Sequence, residues 1–114
     1  MNIIIIKERI ASSNLEEIAK KQFGDFVKAV VDIEKEIMAI GGSLHADEEA
    51  ALLEQGSVQE NLWGINIYPE KKREEWIEFD SMINIRPSQG NRSRNVEDVD
   101  IQKKIVEIVN TLIQ

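Results

Sequence analysis

Apolar positions along this chain recur with two periods, and the switch from one to the other marks its elements. Ile3 to Ile6 follow Asn2 and predict a short strand over Asn2–Ile6. The stretch "SSNLEEIAKKQFG" has helical spacing, with Leu15, Ile18, Ala19 and Gln22 on one face. Ser13 and Glu16 fit a capping box at its start, and Gly24 follows as a stop. "VKAVVDIEKEIMAIGG" is rich in β-branched residues and alternates, Ala29, Val31 and Ile33 against Lys28, Val30 and Asp32. It predicts a hairpin that turns at Glu34–Lys35 and returns over Glu36–Ile40, although Glu-Lys is poor chemistry for a two-residue turn. "SLHADEEAALLEQG" then predicts a helix with Ala46, Ala50 and Leu53 on one face and Gly56 at its end. Its acids Asp47, Glu48 and Glu49 fall in the first turn, where the helix dipole favours negative charge.

Two more strands follow. "NLWGINIYP" places Trp63, Ile65 and Ile67 on one face and Gly64, Asn66 and Tyr68 on the other. "EWIEFDSMINIRP" reads as one long strand, with Ile77, Phe79, Ser81, Ile83 and Ile85 on one side. Trp76, Glu78, Asp80, Met82, Asn84 and Arg86 form the other, more polar side. The charged "EKKREE" between these strands suits an exposed hairpin loop. The last segment predicts an amphipathic helix with a stripe of Ile101, Ile105, Ile108 and Leu112 and Asp98 as its cap. The order β-α-β-β-α-β-β-α implies an α+β fold. We expect a single two-layer domain over residues 1–114, with a mainly antiparallel sheet of four to five strands and three helices.

Composition narrows the classes. A chain of 114 residues with 42% hydrophobic and 31% charged residues is an ordinary globular domain. The absence of cysteine excludes disulfides and thiolate metal sites, and a single histidine excludes a histidine-based zinc centre within one chain. No metal site and no cofactor motif is expected. The apolar run at the start is too short for a signal peptide or a membrane span, so a cytoplasmic location and no membrane partner are expected. Twenty-one acids against 14 bases, a net charge of -7, argue against a nucleic-acid partner held by counterion release. They leave room for a local anion site.

The local exception to the acidic balance is "RPSQGNRSR", residues 86–94, where Arg86, Arg92 and Arg94 stand among Ser, Gln, Gly and Asn. Arginine presents a planar fork of donors that matches carboxylate or phosphate, and Gly90 permits close backbone approach. Gln89 and Asn91 add hydrogen-bonding capacity. With Glu78 and Asn84 on the preceding strand, these residues form the expected binding site for an anionic small molecule. His45, whose ordinary pKa lies near neutrality, and Asp80 are the candidates for proton transfer and hence the catalytic candidates. No phosphate-binding fingerprint is present, and no reaction is named by the sequence. Ion pairs of the arginines with Asp80, Glu97, Asp98 and Asp100 would produce the same composition for structural reasons alone. Trp63 is expected in the core and Trp76 on the polar face.

The segments "FGDFVKAVVDIEKEIMAIGGSLHADEEA", "QENLWGINIYPEK" and "EEWIEFDSMINIRPSQGNRSR" together resemble a family of small prokaryotic domains of unknown function. The resemblance runs from about Glu8 to Ile113, nearly the whole chain; it implies a stand-alone domain and transfers no catalytic residue. Two classes of function therefore remain open. One is a binding protein or enzyme acting on an anionic small molecule. The other is a non-catalytic interaction or self-association domain, monomer or homodimer, with a purely structural arginine loop. Convergence of His45, Asp80 and the arginines on one concavity would favour the first.

Overall fold

The computed structural model describes residues 2–114. Five strands, β1 (Ile4–Ile6), β2 (Val27–Asp32), β3 (Ile37–Ile40), β4 (Leu62–Ile67) and β5 (Ile77–Glu78), form one sheet in the order β1-β3-β2-β4-β5. Every neighbouring pair is antiparallel. Three helices, α1 (Ser12–Lys21), α2 (His45–Glu54) and α3 (Val99–Leu112), complete the expected α+β order. Among the described residues no helix is long and apolar enough to cross a membrane.

Side-chain alternation in the central strands divides the interior in two. Val27, Ala29, Val31, Trp63, Ile65 and Ile67 point to one face, where Leu15 and Ala19 of α1 and Ile105, Ile108, Val109 and Leu112 of α3 cover them. Val30 and Leu62 point to the other face and pack with Leu52 of α2. The helices thus lie on both sides of the sheet, and α2 covers only part of its face. The polar row Lys28, Asn66 and Glu78, in register across β2, β4 and β5, remains beyond α2's cover.

Local chemistry explains where the elements begin and end. The β2–β3 hairpin turns over 33–36 rather than at Glu34–Lys35 alone. Asp32 drives it: its Oδ1 accepts the backbone N–H groups of Glu34 and Lys35 at 2.9 Å each. Its Oδ2 accepts Ser57 Oγ–H at 2.7 Å, which ties the turn to the segment after α2. Helix α1 starts two residues earlier than the capping box requires. Its N-cap is Ala11, without a side-chain bond, so Ser13 and Glu16 do not form the box. Gly24 does end it, at φ 98°, donating to Ala19 O at 2.6 Å.

Helix α2 is rotated relative to the sequence expectation. Ala46, Ala50 and Leu53 are exposed, whereas His45, Glu48 and Leu52 are buried. Helix α3 matches its predicted stripe, and Asp98 caps it by accepting from Asp100 N at 2.9 Å and Ile101 N at 3.4 Å. Asp98→Ala is expected to cost about 1 kcal/mol, measured by urea unfolding, with the native spectrum unchanged.

The strand expected over 76–86 is the main correction. Only Ile77 and Glu78 pair with β4. The chain then turns, with Asp80 N donating to Glu78 O and Ser81 N to Arg94 O, both at 3.1 Å. Ser81 caps a short 3₁₀ turn, Met82–Asn84, by accepting from Ile83 N. Phe79 consequently packs with the α3 side of the core and Ile83 with the α2 side, so the long common face is not formed. Trp76 is also relocated. It is buried in the core with Nε1–H donating to Lys71 O at 2.9 Å, not exposed on a polar face.

Candidate functional site

Where α2 leaves the sheet uncovered, a cavity of about 420 Å³ opens. Phe26 and Lys28 of the β2 strand region, Asn66 and Tyr68 at the end of β4, and Glu78 of β5 form its sheet side. The first turn of α2 contributes His45, and the turn after β5 contributes Asp80 and Met82. Arg94 closes the rim. Four of the sequence candidates, His45, Glu78, Asp80 and Arg94, therefore meet here from stretches far apart in the chain.

His45 is only 8% exposed, because the rotation of α2 turns it inward. Its Nε2 lies 2.8 Å from Ile65 O. A carbonyl only accepts, so Nε2 carries the proton and donates, and in the neutral ring Nδ1 holds the lone pair. Burial lowers the His45 pKa, partly opposed by the Ile65 bond. The imidazole is therefore neutral at pH 7 and able to accept a hydrogen bond or a proton. Glu78 Oε1 accepts from Asn66 Nδ2 at 2.8 Å and from Tyr68 Oη–H at 3.1 Å. Burial and the bond to Glu78 raise the Tyr68 pKa, so the phenol stays protonated and fixes the carboxylate. Asp80 Oδ1 accepts from Arg94 Nε at 2.6 Å, with the two side chains 39% and 55% exposed. This pair is wet at one edge, and its charges remain available to a ligand.

The other candidates lie elsewhere. Asn84 is fully buried. Its carboxamide accepts from Gly64 N at 2.8 Å and donates to Gly64 O at 2.9 Å, continuing the ladder of β4 after β5 has ended. A Cβ on Gly64 would stand 2.6 Å from Ser81, so the glycine is what lets this segment approach. Arg86 stacks on Trp63 at 4.2 Å from the ring centre. It donates to Ile83 O at 3.1 Å, Gln59 O at 2.6 Å, Leu62 O, and Gln89 Oε1 at 3.1 Å. Gln89 continues to Glu60 O at 3.1 Å. Asn91, also buried, donates to Asn84 O and Asn95 O at 2.7 Å each and to Ser93 O at 3.1 Å. Arg92 is exposed and outside the cavity lining, and the Glu97 carboxylate is bound to the backbone N–H groups of Arg92 and Ser93 at 2.9 Å each. The arginine loop is thus knitted to the sheet by Asn84, Arg86, Gln89 and Asn91, and only its last arginine reaches the cavity. The expected ion pairing is realised once, between Arg94 and Asp80.

Lys28 is a lining residue that the sequence reading did not assign to a site. The available signal was its place opposite Ala29 and Val31 on β2. The register Lys28↔Asn66↔Glu78 then brings it to the same row.

No curated protein and no solved structure matches the chain. One family does match, over residues 4–112, and it is described as protein of unknown function, DUF5674. Since the match spans all three helices and all five strands, including each residue that lines the cavity, the chain belongs to the DUF5674 family.

Proposed function

We propose that this chain is a small cytoplasmic domain that binds an organic anion in the cavity between α2 and the β4–β5 end of the sheet. The observation that carries this reading is the convergence of His45, Asp80 and Arg94 on one concavity. The anion is held by Arg94, through donors not used by Asp80, and by Lys28. The start of α2 adds to the positive potential, since its N-cap residue Leu44 offers no side-chain oxygen. His45 Nδ1 is the group placed for proton exchange with the bound molecule. Asn84, Arg86, Gln89 and Asn91 serve as the frame that sets Arg94 at the rim.

Titration with acetate and with inorganic phosphate, followed by backbone and imidazole NMR, tests the reading. The resonances of Lys28, His45 and Arg94 are expected to move together in a saturable way. Arg94→Lys keeps the charge but removes the fork, and is expected to weaken binding about tenfold without lowering the melting temperature. An absence of saturable shifts at the cavity with either anion would overturn the proposal.

A further inference from the structure

We propose that the ligand is a zwitterion of the α-amino acid kind, with a carboxylate and an ammonium on one carbon and an apolar side chain. The inference rests on the anion-binding reading above and specifies what the anion is attached to. Its first support is charge balance. The ionic groups lining the cavity are two cations, Lys28 and Arg94, and two carboxylates, Glu78 and Asp80. A bare anion seated on the two cations would also face two carboxylates, and like charges at close range oppose binding. A molecule that brings both signs satisfies both.

The second support is the arrangement of those charges. Arg94 and Asp80 touch through a single bond of 2.6 Å, Nε to Oδ1. Among the described residues, Asp80 Oδ2 and the terminal nitrogens of Arg94 carry no side-chain bond. A carboxylate and an ammonium borne on one carbon lie head to tail along such a pair, each against its opposite. Glu78 reinforces the ammonium side. Its Oε1 is filled by Asn66 and Tyr68, which fixes the group and leaves Oε2 as the acceptor. His45 Nδ1, left as an acceptor by the bond of Nε2–H to Ile65 O, adds a third. The floor of the cavity is therefore rich in acceptors, which a carboxylate or phosphate alone would leave unused.

The third support is the remaining lining. Phe26, Leu44, Met82 and Ile83 are apolar, and Leu44 and Met82 stand 56% and 66% exposed at the mouth. Apolar surface around a few convergent polar groups is the composition of a small-molecule site, and a cavity of about 420 Å³ is within the range of such sites. An apolar ligand side chain would cover these two residues.

Isothermal titration of the full chain tests the inference with L-leucine, L-methionine and L-phenylalanine. Each is measured beside its deaminated carboxylic acid and its decarboxylated amine. At least one amino acid is expected to bind about tenfold tighter than both of its halves, since each charged contact is worth that much or more. Glu78→Gln is expected to weaken that amino acid about tenfold and leave its carboxylic acid within about twofold. If the carboxylic acids bind as tightly as the amino acids, or phosphate binds where no amino acid does, the zwitterion is excluded while the anion site stands. If no amino acid, no carboxylic acid, and neither phosphate nor acetate binds, the anion-binding reading falls and this inference falls with it.

Discussion

Glu48→Gln is expected to abolish most of a fall in stability that the protein shows as pH rises from about 5 to about 8. Glu48 sits in the first turn of α2 and is fully buried. Its Oε2 accepts from Gly42 N at 2.9 Å, and its Oε1 has no hydrogen-bond partner among the described residues. Burial is the leading cause that pushes its pKa up to about 9; the Gly42 bond and the Lys28 charge pull the other way. The unfolded chain gives the same carboxyl its ordinary value near 4.5. The folded state therefore keeps a proton that the unfolded state releases. The stabilisation is complete below the unfolded value and is lost as pH rises towards the folded one. The slope is about 1.4 kcal/mol per pH unit, which amounts to about 2–3 kcal/mol between pH 5 and pH 7. That is a large share of the 5–15 kcal/mol or so that holds a domain together. Glutamine keeps an acceptor for Gly42 and cannot ionise. Burial lowers the His45 pKa, so His45 acts with the opposite sign, its contribution present above its ordinary value and lost as pH falls. It is common to both proteins, so the difference between their urea-unfolding profiles isolates Glu48. Parallel profiles across that pH range would show that Glu48 is ionised in the folded protein.

The position of Glu48 also shows why α2 was harder to read than α3. In α3 the buried stripe is Ile105, Ile108, Val109 and Leu112, and Asp98 caps it with its own carboxylate. Both signals are local and chemically orthodox, so the spacing alone identifies them. In α2 the buried positions are His45, Glu48 and Leu52, while Ala46 and Ala50 face water. Reading apolar as buried therefore turns the helix the wrong way. The energetic exception, a carboxyl made tolerable indoors by protonation, is invisible to periodicity.

The strand over 76–86 failed for a related reason. Its alternation continues through Ser81 and Asn84, but the Ser81 hydroxyl accepts from the nearby Ile83 N, and the Asn84 side chain, not its backbone, meets Gly64 of β4. Each offers the chain an alternative to the ladder, and both alternatives are taken. For the cavity, the residue types were legible and their meeting was not. His45, Glu78, Asp80 and Arg94 were all singled out, yet what brings them together is α2 crossing to the second face of the sheet. Lys28 stayed hidden because a lysine opposite the core side of a strand is ordinary until its register with Asn66 and Glu78 is known.

Arg86→Ala is expected to destabilise the protein by about 2–4 kcal/mol, and Arg86→Lys to recover only a minor part of that loss. The guanidinium is bound to the backbone carbonyls of Gln59, Leu62 and Ile83 and lies over the Trp63 ring. Those carbonyls belong to the short 3₁₀ turn Gln59–Asn61, to the first residue of β4 and to the turn after β5, so one side chain pins three segments. Alanine would take their donor from two partly buried acceptors, Leu62 O and Ile83 O, and uncover the indole face. Lysine restores the charge, but its ammonium is a point donor on a flexible stem, and it cannot bridge three carbonyls while stacking on a ring. Thermal and urea unfolding of both variants measure the loss. Arg94 provides the contrast. Its substitution by lysine is expected to leave stability unchanged, within the few tenths of a kcal/mol usual for exposed positions, and to weaken the anionic ligand. Two arginines eight residues apart in one loop would then separate cleanly, the first acting on stability and the second on binding. If Arg86→Lys unfolds with the parent protein and instead loses ligand, the loop as a whole is the recognition element, and the assignment of its first arginine to the frame is wrong.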